Sequence, residues 1–309
     1  MGMRYKKALV TGGAGFIGSH IARRLTALGM EVSVIDDLSM GRLENIPAGV
    51  EFHNGSILDE SLMKKALRGV DAVFHNAAKV SIRNSFDDIC GDTETNVLGT
   101  VNCLRESGKA GIKKFIFASS MAVYGDRARL PVAEDGVLEP ISPYGAGKLA
   151  GELYVRQLSR YYGFESVVLR YFNTYGPGQT LTPYVGVITI FINSLLEGRP
   201  PMVFGTGSQV RDFVYVGDVA EANMLAMTSS VDGTVVNVGS GRGTSVNDIA
   251  SLLISRLGPG IEALRAPLPL GEPRDSVADI TRARNLLGFN PCTRVEYAIN
   301  EVIDSVKKG

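Results

Sequence analysis

Nine residues near the start of the chain restrict its fold more than any other segment. Val10-Thr11-Gly12-Gly13-Ala14-Gly15-Phe16-Ile17-Gly18 follows a short β-branched run and opens a stretch with Ile17, Ile21, Leu25 and Leu28 at helical spacing. Glycines at 12, 15 and 18 let the chain turn sharply, let an anion reach the backbone and let the helix pack close behind. The free N–H groups and dipole of the helix then face a phosphate. Three glycines alone are a weak signal, and a glycine-rich loop is the plain alternative. A strand before them and an amphipathic helix after them favour a dinucleotide-binding turn.

The second apolar run strengthens that reading. Asp36 ends it, 21 residues beyond Gly15, where a carboxylate accepts hydrogen bonds from an adenosine ribose. Asp37 follows, and the pair also suits a solvated loop or a helix cap. An acid there repels a 2′-phosphate and no Arg immediately follows, so NAD is expected rather than NADP.

Short β-branched runs at 7–11, 31–35, 50–53, 72–75, 114–118 and 166–170 alternate with helical patterns. Continuous Val/Ile/Leu runs mark strands buried on both faces, as in a parallel sheet. Their alternation with helices gives an α/β class and a Rossmann doubly wound parallel sheet. Beyond Gly176 prolines gather. Short strands (201–204, 212–215, 235–238) mix with helices (187–197, 218–228, 246–257, 293–306). The expected division is an NAD-binding domain over 1–175, with 212–238 returning to it, and a smaller, discontinuous mixed α/β substrate-binding domain over 176–309.

Composition narrows the partners. Lys+Arg and Asp+Glu number 32 each, and apolar residues make up 45%. That excludes a disordered chain and gives no support for nucleic-acid or anionic-membrane binding. No apolar run approaches the roughly 20 residues of a membrane span, and 1–10 lacks a signal-peptide pattern. Cys90, Cys103 and Cys292 are far apart, so a reducing cytoplasm is expected rather than a disulfide framework. His20, His53 and His75 are not at ligand spacing, and no metal is expected.

A second constellation carries chemistry. In Tyr144-Gly145-Ala146-Gly147-Lys148, phenol and ammonium lie on one helical face. Pro143 suits the first turn of that helix. A nearby cation is expected to lower the tyrosine pKa from about 10, so that the phenolate removes a proton from a sugar hydroxyl. Chance i,i+4 pairing is the competing view. Against it stands Phe117-Ala118-Ser119-Ser120-Met121-Ala122-Val123-Tyr124-Gly125, which ends a predicted strand on the side where sheet ligands bind.

The succession TGGAGFIG, HNAA, SSMAVYG, YGAGK, RYFNTYGP, RDFVYVGDVA and NVGSG spans nearly the whole chain. It resembles the extended short-chain dehydrogenase/reductase superfamily and, within it, nucleotide-sugar epimerases of the UDP-glucose 4-epimerase type. The resemblance implies Tyr144 as base, Lys148 also on the nicotinamide ribose, and Ser120 bridging Tyr144 and the sugar 4-hydroxyl. It places Gly12, Gly15, Phe16, Ile17 and Gly18 at the pyrophosphate and Asp36 and Asp37 at the ribose. Ser56 and Ile57 would flank the adenine; the family usually has Asp in place of Ser56. Ala77, Ala78 and Phe172 would line the cofactor, with Asn96 behind. On the substrate side it implies Asn173, Arg211 on the diphosphate, and Ile188, Met202 and Phe204 as a uracil slot. The family's phosphate-binding Arg falls at Pro269, with Arg265 and Arg274 as candidate replacements. Ser276 stands where some epimerases carry Tyr, and a small residue leaves room for a 2-acetamido group.

Met121 and Ala122 follow Ser120 where dehydratases and decarboxylases of the superfamily carry acids. Neither donates a proton, which leaves 4-epimerisation of UDP-hexoses: transient oxidation to a 4-keto sugar and hydride return. A UDP-glucuronate epimerase, a net reductase and a non-catalytic NAD-binding regulator are the other readings. Related enzymes dimerise through helices that here span 95–108 and 143–162, so a homodimer is expected.

Overall fold

The computed structural model describes residues 4–126, 129–180, 186–267 and 275–308. From the first strand, β1 (Lys7–Thr11), the glycine turn leads into α1 (Phe16–Ala27), β2 (Glu31–Asp36), β3 (Glu51–Asn54), α2 (Glu60–Ala66) and β4 (Ala72–His75). A helical stretch follows: α3 (Asn84–Asp87), α4 (Ile89–Thr93), a π-helical segment (Glu94–Gly99) and α5 (Thr100–Ala110). Next come β5 (Lys114–Ser120), α6 (Pro143–Tyr162), β6 (Glu165–Tyr171) and β7 (Asn173–Tyr175). The later elements are α7 (Val187–Leu196), β8 (Met202–Phe204), β9 (Val210–Tyr215), α8 (Val216–Thr228), β10 (Thr234–Val238) and β11 (Gly243–Ser245). They end with α9 (Val246–Leu257), β12 (Leu264–Ala266), α10 (Thr281–Leu287) and α11 (Val295–Lys308).

Seven strands form one parallel sheet in the order β10-β6-β5-β4-β1-β2-β3. Its strands are the apolar runs of the sequence, and Ala8, Leu9, Val10, Val73, Phe115 and Val167 are fully buried. The chain winds outward on both sides of β1, so the strand order reverses between β1 and β4. A doubly wound sheet binds ligands at that point, beyond the carboxyl ends of its strands. The glycine turn leaves β1 there, and Asn76-Ala77-Ala78 leaves β4 beside it.

The smaller part holds a three-stranded sheet, β11-β9-β7, and a two-stranded one, β12-β8. β9 runs antiparallel to β11 and parallel to β7. A separate core packs beneath them from Ile188, Phe191, Ile192, Val203, Phe213, Ile249, Leu253 and Ile299. By contrast, Val219, Ala222 and Met224 of α8 join the core of the main sheet, and β10 is its edge strand beside β6.

Helix α6 has clear local determinants. Ser142 caps it by accepting from the Gly145 N–H at 3.1 Å, Pro143 fills the first turn, and Gly163 ends it in a left-handed conformation (φ 77°). The helix expected over 95–108 differs: its first part is π-helical, and regular α-helix begins only at Thr100.

Candidate active site

The turn after β1 is shaped for a phosphate. Gly12 sits at φ 67°, and a Cβ on it would lie 2.7 Å from the Ala77 nitrogen. A Cβ on Gly18 would lie 2.1 Å from the Gly12 carbonyl oxygen. Both contacts require glycine. Gly15 is the N-cap of α1 and brings no side-chain acceptor, and no acid occupies the first turn at Phe16, Ile17 or Gly18. Those N–H groups are left for an external anion.

At the end of β2 the Asp36 carboxylate accepts from Ala14 N (3.0 Å) and Leu38 N (2.9 Å), which places it against the turn. Burial pushes its carboxyl above the ordinary value, while those two N–H groups oppose the rise. Asp37 is exposed and accepts from the Ser39 N–H at 3.0 Å. Ser56 accepts from Leu58 N at 3.2 Å. The Ile57 side chain is buried, and its carbonyl accepts from Asn102. These residues fit NAD: the glycine cradle would hold its pyrophosphate and Asp36 its ribose, and the 56–57 and 77–78 backbones would run along it.

The three residues expected to act together are brought together. Tyr144, on α6, faces Ser120 at the end of β5, close enough for the serine hydroxyl to act on its pKa. Lys148, one turn along, donates to the Ala118 carbonyl at 2.9 Å, with its nitrogen 5.9 Å from the Tyr144 ring centre. The expected lowering of the tyrosine pKa is corrected by the structure. Burial pushes Tyr144 up to about 12; the Ser120 hydroxyl lowers it and the Asp92 carboxylate raises it. Lys148 moves the other way. Burial lowers it to about 8, with Asp92 and Glu152 holding it up. Desolvation is the largest cause for both groups; the Asp92 charge adds to it at Tyr144 and opposes it at Lys148. Met121 and Ala122, beside this trio, are buried.

On the substrate side, Asn173 donates to the Ser276 hydroxyl at 3.3 Å, and Ser276 is fully buried. Arg211 and Ser276 are neighbours across an isolated bridge, and the Arg211 guanidinium also donates to the Val210 carbonyl at 3.1 Å. Met202 and Phe204 flank Val203 on β8 and are half-buried, whereas Ile188 is buried in the smaller core with Val203. Of the expected uracil slot, Met202 and Phe204 keep accessible surface. Arg265 donates to the Thr206 carbonyl at 2.7 Å. Pro269 and Arg274 lie outside the described residues. Phe172 is buried beside Tyr124.

Two organising residues, His75 and Asp212, escaped the sequence reading. Ala77 N–H donates to Thr11 Oγ1 (3.1 Å), which lies 2.8 Å from His75 Nδ1. His75 Nε2 lies 3.0 Å from Thr100 Oγ1, whose hydroxyl donates to the Asn96 carbonyl at 2.7 Å. Because that hydroxyl proton is committed, Nε2 must donate, and Nδ1 accepts from Thr11. His75 is thus neutral, and burial holds it down at about 3. Asn96 donates to Lys79 O (2.9 Å) and accepts from Lys79 N (3.0 Å). The chain of contacts joins the ends of β1 and β4 to the π-helical segment.

Asp212 is the second such residue. Fully buried on β9, it accepts from Ser240 N (2.6 Å), Ser240 Oγ (2.7 Å), Gly241 N (2.9 Å) and Ala278 N (3.1 Å). It fastens two loops beside Arg211 and Ser276. Among the described residues no cluster of three potential metal ligands occurs, and no helix is long and apolar enough to cross a membrane.

The model of the NAD-dependent epimerase/dehydratase family matches residues 8–239, three-quarters of the chain. The chain belongs to that family. A UDP-glucose 4-epimerase of Mycolicibacterium smegmatis is 36% identical over 96% of this chain and 97% of its own. The solved UDP-glucose 4-epimerase of Thermotoga maritima, with UDP-glucose, superposes with a TM-score of 0.94 at 40% identity, covering 98% of this chain and 99% of that one. A UDP-N-acetylglucosamine 4-epimerase from Methanobrevibacter ruminantium, in complex with UDP-N-acetylmuramic acid, gives 0.94 at 34% identity, covering 99% of each. The family's NAD dependence agrees with the cradle around Gly12.

Proposed function

We propose that the chain is an NAD-dependent 4-epimerase of UDP-hexoses, taking UDP-glucose and UDP-galactose and also their 2-acetamido counterparts. The larger lobe holds NAD and the smaller lobe holds the UDP-sugar. The observation that carries the reading is the meeting of Ser120, Tyr144 and Lys148 at the carboxyl end of β5, with Met121 and Ala122 next to them. A proton leaves the sugar 4-hydroxyl through Ser120 to Tyr144. The Ser120 hydroxyl favours the phenolate that receives it, against the burial that opposes it, and Lys148 stands one turn along the helix. When bound, NAD supplies the hydrogen acceptor and donor for transient oxidation at C4. No acid stands at 121 or 122 to drive elimination or decarboxylation.

Tyr144→Phe is expected to lower epimerase turnover by about 10²–10⁴-fold while NAD content stays that of the wild type. Wild-type turnover in this variant rules out the proposed base. Ser276 extends the reading to N-acetylated sugars, because its side chain, beside Asn173, is far smaller than the tyrosine that some epimerases carry at this place. Product analysis by NMR on the four UDP-hexoses and UDP-glucuronate tests it. Turnover of both acetylated and plain pairs is expected, with the acetylated pair lost in Ser276→Tyr. Turnover of the plain pair alone in wild type removes the extension.

A further inference from the structure

Asp92 lies on α4, outside every motif that the sequence reading singled out. Its side chain is buried at 2% exposure. Oδ2 accepts from Asn96 Nδ2 at 3.0 Å, and Oδ1 has no hydrogen-bond partner among the described residues. A buried, half-satisfied carboxylate is costly and calls for a reason. Oδ1 is directed at α6: it lies 3.6 Å from the Cβ position of Gly147, between Tyr144 and Lys148 in the chain.

The other charged groups in this region are already engaged. Glu152, on α6, is held by Arg170 at 2.7 Å. His75, facing Lys148 from β4, is neutral in its threonine chain. Lys79 and Asp88, on the solvent side of Asp92, pair with each other at 2.7 Å. Asp92 has no ion pair among the described residues; burial raises its own carboxyl, the Asn96 hydrogen bond and the Lys148 charge oppose that rise, and its charged form bears on both Tyr144 and Lys148.

We propose that Asp92 is a positioning residue of the epimerisation, a buried counter-charge that sets the protonation of the Tyr144–Lys148 pair from the π-helical side. The inference rests on the function proposed above. A negative charge disfavours proton loss from both groups. Tyr144 must lose its proton to act as base, and Lys148 must keep its own to supply charge. Asp92 therefore places both limbs of the pH–rate profile.

Asp92→Asn keeps an acceptor for Asn96 and removes the charge. Both limbs of its profile are expected to move to lower pH, by about one unit, and Asp92→Glu is expected to bring them back. A purely structural role lowers turnover without moving either limb. An independent readout follows the Lys148 ¹³Cε resonance in lysine-labelled holoenzyme, assigned with Lys148→Arg. Its titration is expected to move to lower pH in Asp92→Asn, or in Asp92→Ser if the asparagine variant does not fold. Unmoved limbs, or an unchanged Lys148 titration, overturn the proposal. If no UDP-sugar is turned over, the functional reading fails, and the resonance still decides the role of Asp92.

Discussion

The imidazole of His75 lies near the rings of Phe115 and Phe117, 5.7 and 5.8 Å away, and makes stability depend on pH. Unfolded, it takes a proton near pH 6.5; folded, it resists to about 3. As pH falls through that window the unfolded chain binds the proton and the folded one does not, so stability is lost. The slope attributable to this residue is about 1.4 kcal/mol per pH unit. Urea unfolding at a series of pH values is expected to show His75→Asn less stable at pH 8 but with a shallower acid slope. Parallel slopes in wild type and variant remove His75 from the account. Tyr144, Lys148 and Ser120 were readable from sequence because their signal is local: four residues of spacing, and a serine at a strand end. His75 and Asp212 were not, because their partners lie as much as 64 and 66 residues away. A buried polar residue declares itself only when the fold brings its acceptors or donors to it.

At the level of elements, α6 is set by one stripe. Tyr144, Lys148 and Glu152 recur every four residues, and all three are buried. Glu152 receives Arg170 of β6 through two bonds, Nε at 2.9 Å and Nη2 at 2.7 Å, and the hydroxyl of Ser119, the residue before Ser120. That pair holds the helix on the sheet in the register that lets Tyr144 meet Ser120. Removing one partner leaves a buried charge, so Arg170→Met is expected to cost about 3–5 kcal/mol in urea unfolding. Glu152→Leu with Arg170→Met is expected to cost clearly less than the sum of the two single changes. Additive costs show that the charges do not depend on one another. Strands β1 and β4 match their apolar runs end for end, because continuous β-branched residues have no other home than a sheet buried on both faces. The π-helical turn at Glu94–Gly99 carried no such mark. It follows from tertiary demands, with Asn96 clamped to Lys79 and Gly99 packed against Ile57. Strand β7, three residues long, is likewise defined by its neighbour β9 rather than by its own composition.

On the scale of the molecule, α5 and α6 pack side by side on one face of the main sheet, and α6 has two dissimilar sides. Inward it buries Tyr144, Lys148, Glu152, Val155 and Ser159. Outward it leaves Leu153 at 56%, Tyr154 at 43% and Tyr161 at 79% exposure, and the π-helical segment adds Leu98 at 57%. Scattered apolar residues are ordinary on a surface, and large ones along paired helices are what an association face would present. A flat helical face that meets its own copy about a two-fold axis satisfies both chains at once. The expected state is a homodimer through this face. Light scattering after size exclusion should give twice the 33.1 kDa chain mass, and Leu153→Glu with Tyr161→Glu should return the single-chain mass. Because the altered side chains point away from Tyr144 and Lys148, the dissociated protein should still retain NAD. A wild-type chain that elutes at single mass at micromolar concentration removes the dimer, and leaves these aromatic residues as surface that α6 does not need.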